Sequence, residues 1–181
     1  MRRRSIVYLL VLLVAAFSVL AWLGSAGSGI PVLTYHHIGS GNGWLYVSEA
    51  DFEQQLVYLR ERGYTTISVA ELAEGLSGRT KLPDRPIVLT FDDGYDDNYQ
   101  AALPVLLRQG MRASFFVVTG KMGQPGYLSW PQAAKMRDQG MEIGSHTVHH
   151  YTLTEINLKE MERELRGSRL MLESSLSITK A

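Results

Sequence analysis

From position 31 onward the chain alternates short apolar runs with longer stretches of helical period. Pro31–Ile38 (PVLTYHHI) opens with a strand-like run. Ser48, with Asp51 three residues later, predicts a capped helix start. Phe52, Leu56 and Leu59 then share one helical face, and Gly63 ends it. Thr65–Val69 is β-branched and reads as a strand, and Ser68 with Glu71 opens a short helix. Ile87–Phe91 reads as a buried strand running into an acidic cluster. Asn98–Gln109 reads as a helix that Pro104 kinks or delays. Ser114–Thr119 is a strand, Ser129–Gln139 a helix with Pro131 in its first turn, and Met141–Ser145 a short strand. Thr154 is expected to open the longest helix, to about Ser174.

A helix, a closing glycine and a strand recur at Gly63, Gly110 and Gly140. This alternation predicts an α/β domain with a parallel sheet, either a (β/α) barrel or an open doubly wound sheet. No phosphate-cradling glycine pattern follows a strand, which weakens a nucleotide-binding reading. About five strands are legible, against ~8 in a closed barrel. The chain also stops just after a helix, so the expectation is a domain incomplete at its C-terminus, with unpaired strand edges.

The first 30 residues differ. Arg2, Arg3 and Arg4 precede Ser5–Leu23, which has no charge and would span ~30 Å as a helix. The arginines predict a cytoplasmic start and an extracytoplasmic remainder. This segment reads as a transmembrane signal anchor or as a signal peptide cut near Gly24-Ser25-Ala26, followed by a short Gly-Ser linker. The domain reading is thus 1–30 for the anchor or signal and 31–181 for the α/β domain. The expected place is the cell membrane, single-pass with the domain outside, or secretion if the segment is cleaved.

Eighteen basic and eighteen acidic residues balance, and the arginines at 2–4 leave the rest slightly acidic. No basic face for nucleic acid follows. With no cysteine and five histidines, any transition-metal site must use His, Asp or Glu.

Three segments at strand ends could carry chemistry, and in parallel β/α folds those ends share one mouth. Thr90-Phe-Asp-Asp-Gly94 offers Asp92 and Asp93. One carboxylate can bind a metal while its neighbour acts as a base. Asp96 and Asp97 read as a solvated turn. Ser145-His-Thr-Val-His-His150 offers His146 with either His149 or His150; spacing alone does not choose. Two imidazoles and a carboxylate leave a position open for water, the catalytic pattern for zinc, and the same donors suit cobalt, nickel or iron(II). Tyr35-His-His-Ile38 offers His36 or His37 as an acid.

TFDDG at 90–94 and SHTVHH at 145–150 resemble the first two motifs of the polysaccharide deacetylases, the carbohydrate esterase family that removes N-acetyl groups from sugar polymers. PVLTYHHI, RPIVLTFDDGYDDNY and ASFFVVTG are similar to family segments in family order. The resemblance implies a distorted (β/α) barrel, Asp92 as general base, and Asp93, His146 and His150 as ligands of a divalent metal, zinc first. Thr147 matches the residue that supports the motif loop. YHHI resembles the branch acting on poly-β-1,6-N-acetylglucosamine, which makes His36 the candidate acid. The implied activity is metal-dependent N-deacetylation of an N-acetylglucosamine-containing polysaccharide. Tyr151 stands where the family usually has Pro, and the later Arg-x-Pro-Tyr and acidic-Trp motifs are absent. The missing motifs motivate one alternative, a non-catalytic, membrane-tethered metal- or glycan-binding remnant. The same metal chemistry allows a second, an O-acetyl esterase acting on xylan. A third is a purely structural β/α domain in which Asp and His cap turns.

Overall fold

Strands form where the apolar runs were expected, and in the same order. The computed structural model describes residues 29–176. Its strands are β1 (Val32–Tyr35), β2 (His37–Ile38), β3 (Tyr46–Val47), β4 (Thr65–Ile67), β5 (Pro86–Phe91), β6 (Ser114–Val117) and β7 (Glu142–Ser145). The main sheet follows the path β1-β5-β6-β7, with β4 also pairing β5, and every pair in it is parallel. β2 and β3 form a separate two-stranded parallel pair. The parallel α/β architecture is therefore as expected. β3 is an addition, a two-residue strand in a Gly- and Ser-rich loop that no periodicity announces.

The helices are α1 (Glu49–Glu61), α2 (Val69–Leu76), α3 (Leu103–Gln109), α4 (Trp130–Asp138) and α5 (Leu158–Ser175). Three of them start at the expected caps. The Ser48 hydroxyl accepts from the Asp51 N–H at 3.1 Å. Ser68 with Glu71, and Ser129 with Gln132, form reciprocal capping boxes. Phe52, Leu56 and Leu59 of α1 are buried, as their spacing requires. Pro104 sits in the first turn of α3, where its missing N–H costs no helical bond, and a π-helical segment, Asn98–Ala102, precedes it. The helix expected from Thr154 starts later. Asn157 is the cap: its side-chain oxygen accepts from the Glu160 N–H at 3.0 Å, and its amide donates back to the Glu160 carboxylate at 2.8 Å.

Tyr35, Phe52, Phe91 and Phe115 centre the core, with Phe91 stacked on Phe115 at 4.6 Å and on Tyr35 at 5.2 Å. Each fully buried Phe contributes about 1.5–3 kcal/mol. This row locks the register Tyr35↔Phe91↔Phe115. As the strands are parallel, the residues that follow β1, β5, β6 and β7 emerge at one mouth. Among the described residues no helix is long and apolar enough to cross a membrane. The uncharged run at 5–23, expected to be an anchor or signal, lies outside the described residues.

Candidate metal and catalytic site

Asp92 and Asp93 leave the end of β5. The Asp92 N–H still donates to the Tyr35 carbonyl at 3.0 Å, so it continues the sheet. Asp93 then turns left-handed, φ 71°, and is 8% exposed. Gly94 follows at φ 77°, where a Cβ would lie 2.9 Å from the Val117 Cβ, so a side chain there collides with β6.

His146 and His150 lie on the loop after β7. The loop is tied to the end of β6 by the His146 N–H on the Val117 carbonyl (2.8 Å), the Thr119 N–H on the Thr147 carbonyl (3.1 Å) and the Gly120 N–H on the Val148 carbonyl (2.9 Å). Thr147 and His150 are also left-handed, at φ 67° and 62°. Among the described residues, the non-glycine positions with positive φ are Asp93, Thr147 and His150. Such strain costs about 1–3 kcal/mol per residue and persists where the surroundings over-determine it. Here the Thr147 hydroxyl accepts from the His150 N–H at 3.0 Å, and the Thr147 N–H donates to the Ser145 hydroxyl at 3.1 Å.

The loop's outer side rests on α5. Glu164, 4% exposed, accepts from the N–H groups of Val148 (2.9 Å) and His149 (2.7 Å), and its other oxygen meets His149 Nδ1 at 2.6 Å. Burial pushes the Glu164 carboxyl up, but these three bonds outweigh it and hold the group below its usual range. Ser145 and Ser168 join hydroxyls at 2.6 Å. His149 is thereby paired with α5, and of the two histidines that spacing left open it is His150 that lies with Asp93 and His146.

Asp93, His146 and His150 each offer one donor atom, and these atoms all lie within 4.8 Å of one another. Asp93 Oδ1 is 3.6 Å from His146 Nε2 and 3.3 Å from His150 Nε2. Both separations exceed an ordinary N–H···O bond. Donors at ~2.1 Å from one tetrahedral ion would lie ~3.4 Å apart. The donor set therefore fits a divalent cation better than a pair of histidine–carboxylate hydrogen bonds. Burial pushes His146 below the ordinary imidazole range; Asp92 and Asp93 oppose the shift, and the neighbouring His150 and His36 add to it. A neutral imidazole is the form that ligates.

His36 bridges β1 and β2. It follows Tyr35, whose carbonyl accepts from the Asp92 N–H, so His36 and Asp92 leave neighbouring strands at the same end of the sheet. Its ring meets Trp44 edge-on at 6.0 Å, and Trp44 is 88% exposed. His37, the other candidate acid, is enclosed between Tyr46 (4.3 Å) and Tyr95 (3.6 Å), with Nδ1 2.6 Å from Asp97. Asp97 is thus no solvated turn: burial raises its pKa, and the His37 hydrogen bond opposes that.

The family model described as polysaccharide deacetylase matches residues 79–180. The chain belongs to the polysaccharide deacetylase family. It is similar to YxkH of Bacillus subtilis, 34% identical over 145 residues, covering 80% of this chain and 52% of the relative. A poly-β-1,6-N-acetyl-D-glucosamine N-deacetylase of Escherichia coli is 26% identical over 68% of this chain and 21% of the relative. The chain thus spans about half and about a fifth of these relatives' lengths. Among solved structures, the Streptococcus pyogenes deacetylase PplD in complex with acetate superposes with a TM-score of 0.78 at 31% identity, over 82% of this chain and 69% of that one. IcaB from Ammonifex degensii superposes at 0.71 and 29% identity, over 85% and 72%.

Two features of this deacetylase-family chain escaped sequence reasoning. Asp97 is paired with a residue 60 positions away, and Glu164 is one of several acids in a charged helix. A faint signal exists for the second: Glu164, Ser168 and Leu172 recur every four residues and form the buried face of α5.

Proposed function

We propose that the chain is a metal-dependent hydrolase that N-deacetylates N-acetylglucosamine units of a polysaccharide. The observation that carries this reading is the spacing of Asp93, His146 and His150, with Asp92 and His36 following the paired ends of β5 and β1 at the same mouth. The E. coli relative's substrate, as its name gives it, supports the sugar and the linkage.

Asp93, His146 and His150 would hold a divalent cation, zinc first. Such an ion supplies Lewis-acid polarisation of the amide carbonyl and activation of water. Asp92 would accept the proton of the attacking water. As the new C–O bond forms and the C–N bond breaks, His36 would give a proton to the departing amine. The products are acetate and a glucosamine unit. The burial of Asp93 keeps it a fixed ligand, while half-exposed Asp92 remains open to the mouth. Exposed Trp44 offers an aromatic face to the apolar C–H face of a pyranose ring beside His36. The uncharged 5–23 run would tether the domain outside the cytoplasm, which fractionation of cells expressing the full chain would check.

The test is acetate release from a β-1,6-linked N-acetylglucosamine oligomer by the zinc-loaded full chain. Asp92→Asn should lower turnover about 10²–10⁴-fold while retaining the metal. Near-normal acetate release by that variant would remove Asp92 from the proposed role.

A further inference from the structure

The imidazole of His36 has no hydrogen-bond partner among the described residues; its one ring contact is Trp44. Its direction must therefore come from the backbone that carries it. That backbone is held with unusual care. The Tyr35 carbonyl accepts from Asp92, and the His37 N–H donates to the Leu45 carbonyl at 3.1 Å. Between them, the His36 carbonyl accepts from the side-chain amide of Asn98 at 2.8 Å.

Asn98 is fully buried and opens the π-helical segment. The same amide nitrogen donates to Asp97 Oδ1 at 2.9 Å. Asp97 Oδ2 grips His37 Nδ1 at 2.6 Å, and Tyr46 and Tyr95 close over the two faces of that ring. Two adjacent residues, Asp97 and Asn98, thus grip two adjacent residues, His36 and His37. The Asn98 side-chain oxygen is buried without a partner among the described residues, so there the residue is matched to its site through its amide nitrogen alone.

We infer that Asn98, Asp97 and His37 are positioning residues that aim His36 at the substrate through its backbone. The inference rests on the reading of His36 as the proton donor. None of the three touches the reacting atoms. A helix-packing role alone would explain the burial of Asn98 but not the pairing of both oxygens of Asp97 with the two ends of the His36–His37 grip.

The experiment is a double-mutant cycle on the full, zinc-loaded chain with an N-acetylglucosamine oligomer. Asn98→Asp replaces the donor nitrogen by an acceptor; Asn98→Ala serves if that variant does not fold. Either should lower kcat about 100-fold with KM within twofold and zinc stoichiometry unchanged. In a His36→Ala background the same change should cost nothing further. Full additivity would overturn the positioning role alone. A normal kcat for His36→Ala would overturn the proton-donor reading and the inference with it. An independent readout needs no turnover. In NMR spectra of labelled chain, Asn98→Asp should move or split the His36 ring resonance and leave that of His149 in place. A His36 resonance unchanged by the variant would contradict the inference.

Discussion

The chain carries two histidine doublets, His36–His37 and His149–His150, and both are divided in the same way. One member of each is tied to an acid at 2.6 Å, His37 to Asp97 and His149 to Glu164. The other member faces the mouth, and on our reading one is the acid and the other a ligand. The doublets differ in how the tied member is held. His37 is shut between two tyrosines, with its side chain 15% exposed, and the flanking backbone is β-strand. The His149 side chain is 58% exposed, whereas that of its acid is 6% exposed and also caps two backbone N–H groups. The first anchor fixes a ring by packing. The second fixes a strained loop by satisfying its donors. An extended backbone exposes carbonyls to be gripped, as Asn98 grips that of His36; one that carries left-handed Thr147 and His150 needs its N–H groups paired.

Breaking the second anchor should therefore have the larger effect on stability. Glu164→Gln places an amide against donors that now share a carboxylate. We expect a loss of about 2–3 kcal/mol in urea unfolding and zinc affinity weakened about 10–100-fold. Unchanged affinity would mean that α5 does not hold the ligand loop. Gly120→Ala is next. Its Cβ would lie 2.6 Å from the Val148 carbonyl, so the loop must shift, at about 1–3 kcal/mol. Zinc binding should weaken while the His36 ring resonance stays in place, which sharpens the separation between the doublets. The smallest effect is that of pH. Burial depresses His146, so the unfolded chain takes up its proton first as pH falls. The stability this group contributes is complete above its unfolded pKa of ~6.5 and declines as pH drops from there towards the folded value. The Tm of the metal-free chain should fall between pH 7.5 and 5.5, and His146→Gln should flatten that slope. Equal slopes would sink the assignment.

Much of the scaffold was legible because its signals are local. Ser48–Asp51, Ser68–Glu71 and Ser129 with Pro131 each announce a helix within four residues, and Gly63, Gly110 and Gly140 are all left-handed where they close one. Thr154 misled because a better cap, Asn157 with Glu160, lies three residues on. The three ligand candidates were legible as strand-end residues of the right chemistry. What the sequence could not display were the partners that discriminate within each doublet. Asp97 reads as one acid in a run of four around Gly94 and Tyr95, and its meaning depends on His37 of β2, sixty residues earlier. The four-residue period of Glu164, Ser168 and Leu172 marks a buried face of α5, but that this face lies across the loop after β7 is a tertiary contact the period does not specify.

The central claim is that each doublet presents one histidine and anchors with the other, and zinc titration of the full chain by calorimetry tests it most directly. Wild type, His150→Ala and His149→Ala should be run side by side. We predict one zinc per chain for the wild type, no measurable binding for His150→Ala, and one zinc with weakened affinity for His149→Ala. Full binding by His150→Ala, or equal loss in both variants, would contradict the account.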